Sequence, residues 1–105
     1  MKAGSGLDMT ASCENGSTRL TVSGELDLNT VRGFEDRLVA LRARKRIVRL
    51  DLSRLEFMDA VGLRAVLRAV RDRRAGLSQL EIDPQLSPEV SRLIGLVGCA
   101  ELGGG

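Results

Sequence analysis

Histidine, tryptophan and tyrosine are absent from this chain of 105 residues, and phenylalanine, proline and cysteine occur twice each. Each shortage closes off chemistry. Without histidine there is no imidazole base, no Ser-His relay, no histidine-ligated zinc and no haem–histidine bond. Two aromatics, Phe34 and Phe57, are too few for the stacking platforms that hold single-stranded nucleic acids. Cys13 and Cys99 make at most one bridge and match no metal-ligand spacing, which points to a reducing compartment. They read as two independent half-buried thiols; a redox-sensitive pair would require Cα atoms within ~7 Å. No segment approaches ~18 consecutive apolar residues, and Ala-Gly-Ser-Gly follows Met1-Lys2 where a leader would be apolar, so a cytoplasmic location without membrane insertion is expected. Charge of one sign is also scarce. Sixteen basic residues against fourteen acidic ones leave +2, too little for direct nucleic-acid binding.

What is present suffices for one domain held by apolar packing, since a chain of this length buries roughly two thirds of its unfolded surface. Residues 1–6 and 103–105 are small and flexible in type, leaving 7–102 as the folded unit. Met9, Ala11 and Cys13 alternate with polar neighbours, Asn15-Gly16 follows, and Leu20 and Val22 alternate again, which is the signature of a hairpin. Glu25 to Leu28 extends the sheet, and Asn29 or Thr30 is positioned to cap a helix carrying Val31, Phe34, Leu38 and Leu41 inward. Ile47 to Leu52 returns to period two with apolar surface on both faces, the mark of a central strand. A second helix is expected from about Val61 to Ala75, ended by Gly76, with Leu63, Val66, Leu67 and Val70 inward. A short strand over Gln79–Asp83, closed by Pro84, and a third helix after Ser87-Pro88 with Val90, Leu93, Ile94 and Val97 inward complete the pattern. Strands alternating with helices imply right-handed crossovers, hence an α/β fold with an open mixed sheet of four to five strands and three to four helices.

The distinctive stretch runs from Val48-Arg49-Leu50-Asp51-Leu52-Ser53 through Phe57-Met58-Asp59-Ala60-Val61-Gly62-Leu63: a strand, a short loop, then Asp followed three residues later by Gly at a helix start. This resembles the STAS family, the domain of bacterial anti-sigma factor antagonists and of sulfate-transporter tails. Its pattern is Asp-Leu-Ser and then Asp-Ser-Ser/Thr-Gly-Leu. Gly24-Glu25-Leu26-Asp27 is similar to the family's early Gly-x-Leu-Asp element, and Ser87 through Gly98 to its last helix. The resemblance implies a non-enzymatic switch without cofactor or metal, which docks on an anti-sigma factor that is also a Ser/Thr kinase. That kinase modifies the hydroxyl residue before the helix-opening glycine, bringing about −1.5 to −2 charges into the contact surface. Here Val61 and Ala60 stand at those positions, and neither accepts phosphate.

On this resemblance the partner-binding residues are Asp27, Met58, Asp59, Ala60, Val61, Gly62, Arg64 and Arg68, with Val61 the non-phosphorylatable equivalent of the acceptor. Plainer roles stand beside these. Asp59 reads as an N-cap for Val61 and Gly62, Asp27 as a turn carboxylate, and Gly62 as a point of close packing; Phe57 and Met58 read as core or loop anchors. Arg64, Arg68 and Arg71 form a stripe that suits either an acidic partner, a nucleotide phosphate or solvent. Ser53 either replaces the missing acceptor or hydrogen-bonds its own backbone in a turn. Two other functions remain open: a STAS-like subunit of a transporter assembly, which needs no phospho-switch, and a nucleotide-binding STAS domain, for which a lone Gly62 offers no Gly-rich loop.

Overall fold

The computed structural model describes residues 6–44, 47–74 and 80–97. Asn15 and Gly16 have φ values of 46° and 86°, the left-handed pair that a primed hairpin turn requires. The turn joins strand β1 (Leu7–Glu14) to β2 (Ser17–Leu26), with Met9 opposite Val22 and Ala11 opposite Leu20. Helix α1 (Val31–Arg42) crosses back to β3 (Ile47–Met58), and helix α2 (Ala60–Arg74) crosses back to β4 (Leu80–Ile82). Helix α3 (Pro88–Val97) follows. The sheet order is β1-β2-β3-β4, antiparallel only at the hairpin, so among the described residues the fold is a mixed sheet of four strands with three helices.

Side-chain alternation sends one face of this sheet into the core. Leu20, Val22, Val48, Leu50, Leu52 and Leu80 are buried there, and they share one cluster with Phe34, Leu38 and Leu41 of α1, Leu63 and Val66 of α2, and Val90 of α3. The other face is polar. Strand β3 runs six residues further than the period-two run suggests, because the register against β2 shifts between Thr21 and Ser23 and again between Gly24 and Glu25. These irregularities let Leu52, Leu55 and Met58, spaced by three, all turn inward. Gly24 sits at the second shift with φ 94°, its would-be Cβ blocked by the Gly6 carbonyl, whose oxygen accepts the Glu25 N–H at 2.9 Å. Gly6 is thus held against the sheet.

The third helix begins as expected: Ser87 is buried, its hydroxyl accepts the Val90 N–H at 3.3 Å, and Pro88 takes the first helical position. The cap of α1 differs. Thr30 makes no side-chain cap bond; its hydroxyl donates instead to the Glu25 carbonyl at 2.7 Å. Gly76, Cys99 and the end of the expected domain near 102 lie outside the described residues. No helix among the described residues is long and apolar enough to cross a membrane.

Candidate functional site

The parallel strands β2 and β3 end side by side, Leu26 against Met58, and α2 begins at once at Ala60. This is the C-terminal edge of the sheet, where open α/β folds place their sites. Asp59 organises it. Its Oδ1 accepts the Gly62 N–H at 2.9 Å and its carbonyl accepts the Leu63 N–H at 2.9 Å, so it caps the helix. Its Oδ2 accepts the Leu28 N–H at 3.1 Å, and its own N–H donates to the Leu26 carbonyl at 3.2 Å. A single residue therefore fastens the β2–α1 loop to the start of α2.

Gly62 completes the junction. A Cβ there would fall well inside the Leu26 carbonyl oxygen and 2.9 Å from Leu26 Cγ, so only a hydrogen allows the helix to sit this close. On the other side of the clamp, Asp27 holds its own loop: Oδ1 accepts the N–H groups of Asn29 at 2.9 Å and Thr30 at 3.2 Å. Its carboxylate is thus a turn former through Oδ1.

The junction presents Ala60, exposed, and Val61, half-buried, at the mouth of α2. Met58 is a correction to the partner-binding set. It is only 6% exposed and packs in the core, because the bulged β3 turns it to the helix-covered face. Gly62 is buried as well and acts through packing rather than as contact surface. Phe57 is no core anchor either: it is 49% exposed, on the alternate face from Met58. An exposed apolar residue at this edge that sequence reading missed is Leu28, 70% exposed, its N–H bonded to the Asp59 carboxylate. Its signal was an apolar residue inside the polar turn Asp27-Leu28-Asn29-Thr30.

Arg64, Arg68 and Arg71 are exposed along α2, but Arg68 forms an ion pair with Glu35 of α1. Arg42 of α1 pairs likewise with Asp72 of α2 at 3.1 Å. Between these two bridges lies an open groove of about 260 Å³, floored by Leu38, Ala65 and Ala69. Its arginines are neutralised by the carboxylates beside them, which leaves no cationic seat for a phosphate. Among the described residues no group of three metal-ligating side chains stands together.

The polar face of the sheet carries a second charged constellation. Arg19 reaches Glu14 at 3.2 Å, Asp51 at 3.3 Å and Asp83 at 3.1 Å. The Arg19 guanidinium is held above its usual range by the hydrogen bond to Asp83 and by Glu14. Partial burial pushes the Asp51 carboxyl up, but the hydroxyl and amide of Ser53 and the charge of Arg19 outweigh it and leave Asp51 below the ordinary carboxylate range. Asp83 is lowered by the Gln85 N–H and by Arg19. Ser53 lies within β3, not after it, and its hydroxyl donates to Asp51 at 2.7 Å rather than to its own backbone.

A small mixed sheet, helices crossing over it, and a carboxylate-capped helix at its C-terminal edge define an open α/β fold of the STAS type. The chain belongs to the STAS domain family: the family model described as "Mlab, STAS domain" matches residues 9–104. No curated protein sequence matches the chain. Among solved structures it is similar to an anti-sigma factor antagonist from Mycobacterium paratuberculosis, 24% identical over 96% of this chain and 86% of that one, with TM-score 0.77. It is also similar to the anti-sigma factor antagonist SpoIIAA in its unphosphorylated form, 22% identical over 92% and 84% of the two chains, TM-score 0.69. A structure of Mglu matches at 28% identity and TM-score 0.61, over 74% of this chain but 20% of that one.

Proposed function

We propose that this chain is a protein-interaction regulator that docks on an anti-sigma factor of the Ser/Thr-kinase type, using the edge formed by Leu28, Ala60 and Val61 and braced by Asp59. It is not an enzyme in this reading, takes no cofactor, and acts in the cytoplasm. The observation that carries the proposal is the Asp59 clamp: one carboxylate ties Leu28 of the β2–α1 loop to the start of α2, where Ala60 and Val61 stand, as a single surface. The likeness to anti-sigma factor antagonists in fold supports the partner class.

Val61 occupies the position of the family's phosphoacceptor, so the surface stays in its unmodified form. A kinase partner has no means of releasing itself by chemistry at this loop. Binding by isothermal titration to anti-sigma kinases encoded in the same genome tests the idea, and no binding across that set removes it. Val61→Ser is expected to create an acceptor; failure of a partner that binds the wild type to phosphorylate it would contradict the assigned surface. The hydroxyl-free loop also suits a transporter subunit, and stable co-purification with a membrane transporter in place of a soluble partner would replace the first reading with that one. A nucleotide-binding role is less favoured because the Arg68–Glu35 pair engages the middle arginine of the stripe.

A further inference from the structure

The two lateral edges of the sheet are unlike. At one, β4 has three residues, short enough to offer little to a neighbouring chain. At the other, β1 runs for eight residues without a bulge, and among the described residues no strand lies outside it. Its sequence from Leu7 to Glu14 holds no proline or lysine, the residues that most often keep such an edge from pairing. The Gly6 carbonyl accepts the Glu25 N–H, and this fixes the phase of the ladder: the even-numbered residues of β1 bond to β2. Leu7, Met9 and Ala11 therefore turn both N–H and C=O to the outer edge, while their half-buried side chains rim the core.

From this arrangement we infer that β1 is where a second copy of this chain pairs, antiparallel and about a twofold axis, so that two four-stranded sheets become one continuous sheet. Only pairings that oppose odd residues to odd and even to even keep the apolar faces of both sheets on one side. Two such registers use nearly all of β1. Centred on Ala11, the pairing sets Asp8 against Glu14 of the other copy, and like charges directly opposed are destabilising. Centred on Thr10, it sets Asp8 against Ser12, Met9 against Ala11, and Thr10 against its own counterpart. No like charges meet, hydroxyls face each other at the axis, and the apolar rims join. This self-complementarity is what favours a second copy over an unrelated strand. A strip of eight residues is about 27 Å long and one strand thick, small for an interface, so the dimer is weak and concentration-dependent. Leu7 of β1 lies beside Gly24 near the end of β2, so the twofold sends the two surfaces formed by Leu28, Ala60 and Val61 to opposite ends of the joined sheet. The inference stands independently of which protein docks there.

Sedimentation equilibrium of the full chain under reducing conditions tests it, from about 1 μM to about 1 mM, the range over which weak complexes form. Monomer at the low end and dimer at the high end are expected. Thr10 is exposed on the polar face, so Thr10→Lys and Thr10→Glu each set two like charges together at the axis. Each should weaken the dimer at least about fivefold, the effect of one unit-charge repulsion at about 4 Å in water. An equal mixture of the two variants should recover the wild-type affinity or exceed it. Circular dichroism melts check that both fold, and amide exchange on the wild type needs no variant. Met9 and Ala11 should be protected at high concentration and exchange freely on dilution, while Thr10 and Ser12 stay protected throughout. A wild type that stays monomeric at the highest concentration, charge variants that dimerise as the wild type does, a mixture that gains nothing over either variant alone, or protection of Met9 and Ala11 in the monomer would each overturn the inference.

Discussion

Two glycines in helices of this chain should respond to the same substitution with opposite signs. Gly33 stands in α1, and a Cβ added there meets nothing within 4 Å. Gly62 stands in α2, and a Cβ added there collides with backbone and side chain of Leu26. Replacing glycine by alanine in a helix stabilises it by about 0.5–1 kcal/mol when the site has room, because the unfolded chain loses freedom. Gly33→Ala is therefore expected to gain roughly that amount, raising the melting temperature by about 3–8 °C for a domain of this size. At Gly62 the same gain is offset by forced displacement. Overpacking of this kind costs about 1–3 kcal/mol, and the obstacle is a carbonyl within β2 that cannot rotate aside.

The net expectation for Gly62→Ala is a loss of about 1–2 kcal/mol, lowering the melting temperature by about 4–16 °C. A displaced helix start would also stretch the Asp59–Gly62 hydrogen bond, so the amides of Gly62 and Leu28 should exchange with deuterium faster. Urea denaturation followed by circular dichroism gives the stabilities, and exchange gives the local effect. If Gly62→Ala proves as stable as Gly33→Ala, the close approach of α2 to Leu26 does not exist as described, and the clamp that shapes the docking edge goes with it.

Asp59→Ala should cost about 1–2 kcal/mol through loss of the cap, with Asp59→Asn recovering part of it, measured by urea titration. Leu28→Ser should leave stability within about 0.5 kcal/mol, since the side chain is 70% exposed, yet weaken the partner complex at least fivefold in titration calorimetry. The lowered carboxyls of Asp51 and Asp83 bind fewer protons folded than unfolded, so their contribution is full above the unfolded value near ~3.9 and is lost as pH falls through the lower folded values. Acid melts of wild type and Arg19→Met should therefore differ most at neutral pH and converge below about pH 3; a constant gap would refute the assignment. Arg68→Ala should move stability by less than about 0.5 kcal/mol, because both partners in its ion pair are well exposed.

How far the sequence was legible followed from which interactions are local. The Asn15-Gly16 turn, the inward stripe of α1, the Ser87 cap and the Asp59 cap each depend on residues within four positions of one another, and all four stand as expected. The length of β3 was hidden because its inward positions Leu52, Leu55 and Met58 follow the bulges that β3 makes against β2, a non-local cause. Met58 entered the partner-binding set for the same reason, while its plainer reading as a core anchor stands. The bond from Leu28 to Asp59 joins residues 31 apart in sequence, and no spacing rule announces it. Thr30 was taken for a cap by type, whereas the Glu25 carbonyl claimed its hydroxyl first.

The same geometry bears on how a docking surface of this kind is regulated. With Val61 and Ala60 at the loop, the hydroxyls of Thr30 and Ser53 are each already engaged elsewhere. Thr30 bridges the Glu25 carbonyl and the Asp27 amide, at 2.7 and 3.0 Å, inside the turn that supports α1. Ser53 donates to Asp51, whose carboxylate stands beside Asp83 around Arg19. A phosphoryl group on Ser53 would add about two negative charges beside Asp51, Asp83 and Glu14, three carboxylates that the single charge of Arg19 only partly offsets, so modification there opposes the fold rather than switching the surface. On the proposed reading, occupancy of the partner is then set by the amounts of the two proteins and by competitors for the same edge. Raising the concentration of this chain in a reconstituted partner assay should titrate the response smoothly, with the same midpoint whether or not ATP is present. A midpoint that moves when ATP is added would place an acceptor hydroxyl somewhere on this chain and return the switch to it.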